Sequence, residues 1–180
     1  QALDLEWPIE GLEPLSFVAS SHLGWIYYLS GQNDNAIEQC KKILELDPSS
    51  FPARRYLGLA YEAKGMYPEA ISEFQTGVKL SGSPLMLALL GHAYAVAGKK
   101  AEAQQVLSDL QQLPPQRYVS PYDMGIVLLA LGDEDGALTQ LNEAYRQRSS
   151  GLIFLREARF KGLQRAPEFH SLVEKMRFAG

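Results

Sequence analysis

Residues 57–70 read Leu57-Gly-Leu-Ala-Tyr-Glu-Ala-Lys-Gly-Met-Tyr-Pro-Glu-Ala70, and their skeleton of glycine, six residues, glycine, four residues, alanine recurs four times in the chain. The copies are Gly24, Gly31 and Ala36; Gly58, Gly65 and Ala70; Gly91, Gly98 and Ala103; and Gly125, Gly132 and Ala137. Other columns move with them. Leu23, Leu57, Leu90 or Met124 precedes the first glycine, and Tyr27, Tyr61, Tyr94 or Leu128 follows it three residues on. Successive alanines stand 34, 33 and 34 residues apart, the missing residue falling in the Ser81 to Pro84 turn. A fixed period of this size marks stacked units, each too small to bury its apolar face alone.

Each column has a physical reason. The first glycine lies between an apolar and an aromatic residue on a helix, where a missing side chain lets a neighbouring helix approach closely. The second ends that helix, because a positive φ suits the residue just past a helix terminus. Polar residues follow it (Asn33 and Asp34, Lys99 and Lys100, Asp133 to Asp135), and Pro68 sits where a first helical turn tolerates proline. The alanine marks the crossing of the second helix over the first. Apolar positions at helical spacing come next: Cys40 and Ile43, Phe74 and Val78, Leu107 and Leu110, Leu141 and Ala144. Pro48 and Pro115 close two of these helices, so each unit reads as a helical hairpin.

Composition agrees with one folded domain. The 180 residues are 46% hydrophobic and 21% charged, with 17 basic and 21 acidic side chains and a net charge of −4. That apolar content excludes disorder, and a chain of this size needs no disulfide or metal to hold a core. The lone Cys40 makes no internal bridge, which suits a reducing, cytoplasmic location. The uncharged span from Leu80 to Gly98 is broken at Ser81 to Pro84, and its remainder is too short to cross a membrane, so it reads as a buried helix. The chain starts at Gln1 with no Met or leader-like stretch, which suggests a piece of a longer protein.

In order and spacing, Leu-Gly, Tyr, Gly, Ala and the closing Pro resemble the tetratricopeptide repeat (TPR) over residues 17–149, as units 17–50, 51–83, 84–117 and 118–149. The resemblance implies an all-α, right-handed superhelix of four helix-turn-helix repeats. Two departures stand out: Ser20, Arg54, Leu87 and Pro121 replace the family's frequent tryptophan, and Leu128 replaces a tyrosine. Residues 1–16 resemble the end of an upstream unit, Pro14 lying as far before Gly24 as Pro48 before Gly58. Within 150–180, Phe169, Leu172, Val173 and Met176 follow Pro167 at helical spacing and read as a capping helix. Arg117-Tyr-Val-Ser-Pro-Tyr122, Arg148-Ser-Ser150 and Arg159-Phe160 to Phe169 resemble the C-terminal repeat region of bacterial multidomain regulators.

In this family the first helix of each unit lines the concave side. The resemblance therefore places a mostly apolar, aromatic groove at Val18, Ser21, Trp25, Tyr28, Arg55, Leu59, Glu62, His92, Tyr122 and Ile126. Some relatives clamp a chaperone's terminal carboxylate with lysines, asparagines and arginine. The corresponding places here are Ser21, Trp25, Tyr56, Leu85 and Leu89, so that ligand is not implied. The expected function is a non-enzymatic scaffold for a protein or peptide, another domain of the parent chain, or a second copy forming a homodimer. The alternative is a sensor with a small-molecule pocket between Trp25, Tyr28 and His92. Either the groove is open or residues 3–15 fill it from within.

No cofactor, metal or catalytic chemistry is expected. His22, His92 and His170 lie on different helices without partners at metal spacing, and the Asp133 to Asp135 cluster suits a helix start better than a calcium loop. Cys40 occupies an apolar column and reads as an inert buried thiol. Through residue 145 the chain holds nine basic and 18 acidic side chains, and beyond it eight and three. The basic end (Arg146, Arg148, Arg156, Arg159, Lys161, Arg165) reads as a solvated face rather than a nucleic-acid surface, and no membrane contact is expected.

Overall fold

The computed structural model describes residues 23–155 and 157–177. Val18, Ser21 and residues 3–15, expected from sequence to line or fill the groove, lie outside them. The described residues form helices joined by turns and short loops, with no strand among them. The helical residues 23–29 (α1) lead to α2 (Asn33–Leu46), α3 (Phe51–Ala63), α4 (Tyr67–Ser81), α5 (Pro84–Val96), α6 (Lys100–Gln111), α7 (Pro121–Leu131) and α8 (Glu134–Arg146). Two 3₁₀ segments, Ser150–Phe154 and Ala158–Arg165, then lead to α9 (Pro167–Arg177). Each helix packs on the next from α2 to α8, and α5 also packs on α7. The chain is an all-α TPR superhelix, right-handed, of stacked hairpins.

The two glycine columns do different work. A Cβ on Gly24 would meet Cys40 Sγ at 2.7 Å, one on Gly58 would meet Phe74 Cε1 at 2.5 Å, and one on Gly91 would meet Val106 Cγ1 at 2.7 Å. The fourth copy is looser, because a Cβ on Gly125 would stand 3.4 Å from Leu141. At the second column, Gly65 and Gly132 have φ of +73° and +91°, and a Cβ at either would meet nothing within 4 Å, so backbone conformation alone demands glycine there. The alanines at the crossings, Ala36, Ala70, Ala103 and Ala137, are all 0% exposed. In the third unit Val106, not Leu107, faces the glycine; Val106 is buried and Leu107 only half-buried.

Helix starts follow local chemistry. Asp133 caps α8 by accepting the Gly136 N–H at 2.8 Å. Pro68, Pro84 and Pro121 occupy first-turn positions. Ser120 caps α7 by accepting the Tyr122 N–H, and Asp123 reaches back to the Ser120 backbone, which makes a capping box at the lip of the trough described next.

Candidate functional site

The first helices of the hairpins, α1, α3, α5 and α7, turn one set of side chains toward a common trough. Trp25 comes from α1, Arg55, Tyr56, Leu59 and Glu62 from α3, Leu85, Leu89 and His92 from α5, and Tyr122, Asp123 and Ile126 from α7. The spacing of three and four residues places them on one helix face. The C-terminal segment then folds back into this trough. Arg148, with φ of +55°, turns the chain out of α8, and Gly151 passes so close to Tyr122 that a Cβ would lie 2.4 Å from its ring.

Phe154 reaches the first hairpin, its ring edge-to-face with Trp25 at 6.4 Å, while Trp25 also stacks on Tyr56 at 6.3 Å. The Arg55 guanidinium lies over Tyr56 at 5.2 Å and Phe154 at 5.5 Å, contacts that favour a cation over a ring face. Further along, Phe160 packs on Tyr122 at 6.0 Å and on Phe169 of α9 at 6.2 Å, tying the cap to the trough.

Below the aromatic cluster lies a charged layer. His92 Nδ1 meets Glu62 Oε2 at 3.0 Å with both side chains largely buried. Burial works to raise the Glu62 carboxyl, but the bonded His92 ring and the Arg159 guanidinium together hold it below the usual carboxylate range. The Arg159 side chain is only 5% exposed and donates from Nε to Glu157 at 2.7 Å. Burial works to lower its pKa, yet Glu62 and Glu157 nearby raise it, so it stays fully charged. Burial also lifts the Tyr28 hydroxyl to about 12 and the Asp123 carboxyl to about 6. Arg159 is thus no part of a solvated basic face; it belongs to the floor of the trough.

What remains of the trough is a cavity of 440 Å³. Its wall includes Trp25, Arg55, Tyr56, Leu59, Leu85, Leu89, Tyr118, Ser120, Tyr122, Asp123, Gly151, Phe154, Glu157 and Arg159. A volume of this order suits a small molecule or a few residues of peptide. Of the residues placed in the groove from sequence, Trp25, Arg55, Leu59 and Tyr122 stand on this wall. Tyr28, Glu62, His92 and Ile126 do not. Ile126 is 0% exposed, Glu62 and His92 pair with each other, and of Trp25, Tyr28 and His92 only Trp25 lines this cavity. Sequence reasoning missed the wall contributed by Phe154, Glu157 and Arg159, whose only local sign is Gly151. Among the described residues no group of His, Cys, Asp or Glu could hold a metal ion, and no helix is long and apolar enough to cross a membrane.

Comparison with known proteins agrees with this architecture. Residues 24–65 match the family model described as TPR repeat. Among solved structures, the chain is similar to the nearly identical TPR-like repeats of a protein described as a kinesin light chain from Podosopora anserina. The TM-score is 0.51 at 20% identity, covering 92% of this chain and 95% of that one. A glutamine-to-methionine variant of the same repeats gives a TM-score of 0.52 at 18% identity over the same shares. No curated protein matches the chain. The similarity defines the fold, a class whose repeats generally mediate protein–protein contacts.

Proposed function

We propose that this chain is a non-enzymatic, cytoplasmic interaction module of a larger bacterial regulator, and that its trough receives a peptide or a segment of a partner domain. The observation that carries this reading is the 440 Å³ cavity on the concave side, walled by Trp25, Tyr56, Leu85, Leu89 and Phe154. Aromatic and aliphatic anchors in a desolvated recess are what a bound segment uses to gain affinity. The repeat fold supports it, since stacked hairpins present their continuous inner face to partners. A second copy of the chain or a neighbouring domain of the parent can supply the segment equally well. A sensor for a small molecule is the competing reading, and one observation favours it: the C-terminal segment closes part of the trough and leaves a space of small-molecule size.

The test is selection from a displayed peptide library on the full chain. Enriched peptides should bind the wild type and lose at least about tenfold in affinity to Trp25→Ala or Leu89→Arg, about 1.4 kcal/mol or more. A library that enriches nothing over empty beads, or peptides that bind both folded variants unchanged, refutes the interaction reading. Retention of DNA on filters at physiological salt would refute the absence of nucleic-acid binding.

A further inference from the structure

The first helix of each later hairpin has the second helix of the preceding hairpin packed on it: α2 on α3, α4 on α5 and α6 on α7. Under that cover two repeat columns are closed, the residue before the first glycine and the residue three positions on. Leu57 and Leu90 are 2% and 7% exposed, Met124 is half-buried, and Ala60, Ala93 and Val127 are all 0% exposed. No such helix packs on α1 among the described residues, and there the same columns are open. Leu23 is 39% exposed and Ile26 54%, with Leu29 beside them at 52%. A contiguous apolar stripe of this kind marks a surface that something covers.

The repeat period says which residues stand in that place. The first two units are 34 residues apart and α2 ends at Leu46, so the stretch one period earlier ends at residue 12. Leu3, Ile9, Leu12 and Pro14 stand one period before Ile37, Ile43, Leu46 and Pro48. Ile43 is buried and Ile37 packs against the core, so Leu3 and Ile9 fall in columns that a covering segment turns inward. Two differences from α2 agree with each other. Pro8 interrupts helical hydrogen bonding where α2 has Lys42. Across the contact, α1 carries Ile26 and Leu29 where α3 carries Ala60 and Ala63, so its cover stands further out than the close approach that alanines allow.

We infer that residues 3–12 lie across the open face of α1, with Leu3 and Ile9 against Leu23 and Ile26. A second copy offers the same residues, but the direct connection through residues 13–22 keeps this chain's own segment at about millimolar effective concentration, above that of a second copy in dilute solution. The inference is independent of the trough, and it leaves the trough clear for a partner.

The test is photo-crosslinking in the full chain, with benzoylphenylalanine in place of Ile26 and the products mapped by proteolysis and mass spectrometry. Position 26 should crosslink to residues 3–12 within one monomer. The same group at Glu38, exposed on α2, or at Tyr118, on the cavity rim, should not reach them. Leu3→Ser combined with Ile9→Ser should cut the yield from position 26 at least about fivefold and speed exchange of the α1 amides at least about tenfold. Crosslinks that run between two copies assign the cover to a second chain and overturn the inference. So do crosslinks from Tyr118 to residues 3–12, which would put the segment in the trough, a yield or an exchange rate that the double substitution leaves unchanged, or no crosslink at position 26. If the double variant does not fold, the wild-type map from the three positions decides alone. Peptide selection on the trough is read separately: its failure leaves these crosslinks in place, and their failure leaves selected peptides bound.

Discussion

Alanine at Gly58 and alanine at Gly125 should change stability in opposite directions, although the two positions share one sequence column. In a helix interior the substitution itself favours folding by about 0.5–1 kcal/mol. At Gly58 the new methyl would lie 2.5, 2.8 and 2.9 Å from three carbons of Phe74, a rigid ring that is 0% exposed. Carbon contacts are most favourable near about 3.5–4.0 Å, and overpacking a rigid site costs about 1–3 kcal/mol. The net loss should be about 1–2 kcal/mol. At Gly125 the nearest atoms are the flexible end of Leu141 at 3.4 Å and the Ala137 carbonyl at 3.5 Å, so propensity prevails and the chain should gain up to about 1 kcal/mol. Urea unfolding followed by helical circular dichroism reads this directly, since with a slope of about 2 kcal/mol per molar the Gly58→Ala midpoint should fall by about 0.5–1 M. In a Phe74→Leu background the penalty of Gly58→Ala should shrink, because the rigid ring is gone. A Gly58→Ala chain as stable as wild type, or a Gly125→Ala chain that loses as much, would refute the close-packing argument.

Three further outcomes are expected. Gly132→Ala should cost about 1–2 kcal/mol in the same assay although nothing lies within 4 Å, because its φ of +91° penalises any Cβ; a neutral result means the turn relaxes. Asp123, held at about 6 against an ordinary 3.8, keeps its proton in the folded chain over a range where the unfolded chain has lost it. Its contribution to stability therefore declines as pH rises from about 4 to about 6, by at most about 3 kcal/mol for a shift of this size. Asp123→Asn should remove that slope and be the more stable form at neutral pH; parallel pH profiles for the two proteins would contradict it. Cys40 is 0% exposed with its thiol pushed up to about 12, so the native chain should react with a disulfide reagent only as fast as it opens; labelling within seconds under native conditions would show the column is not closed.

The hairpins are legible in the sequence because their determinants are local or periodic. Gly58 and Ala70 announce a helix crossing by their size, and Gly65 and Asp133 announce helix ends by backbone and capping chemistry. The trough wall on α1, α3 and α7 is legible for the same reason: Trp25, Arg55 and Tyr122 hold fixed offsets from the repeat columns. The C-terminal side of the cavity is not. Ser150–Phe154 and Ala158–Arg165 are short 3₁₀ segments beyond the last repeat, so no repeat column places their side chains. Phe154 reaches Trp25 only through tertiary folding. Arg159 reads as one more charge in a basic tail until Glu62, distant in sequence, is placed beside it. Tyr28, Glu62, His92 and Ile126 hold equally regular offsets from the repeat columns, yet none of them lines the cavity, and nothing local in the sequence separates them from those that do.

The proposed partner sits in the trough beside Arg55 and Phe154. Photo-crosslinking tests this most directly, with a benzoylphenylalanine placed at Tyr118, which is 63% exposed on the cavity rim, or at Gln104, exposed on α6 and off the cavity wall. A library-selected peptide should crosslink at Tyr118 and not at Gln104. Crosslinking at Gln104 with none at Tyr118 would put the partner elsewhere on the superhelix and contradict the assignment.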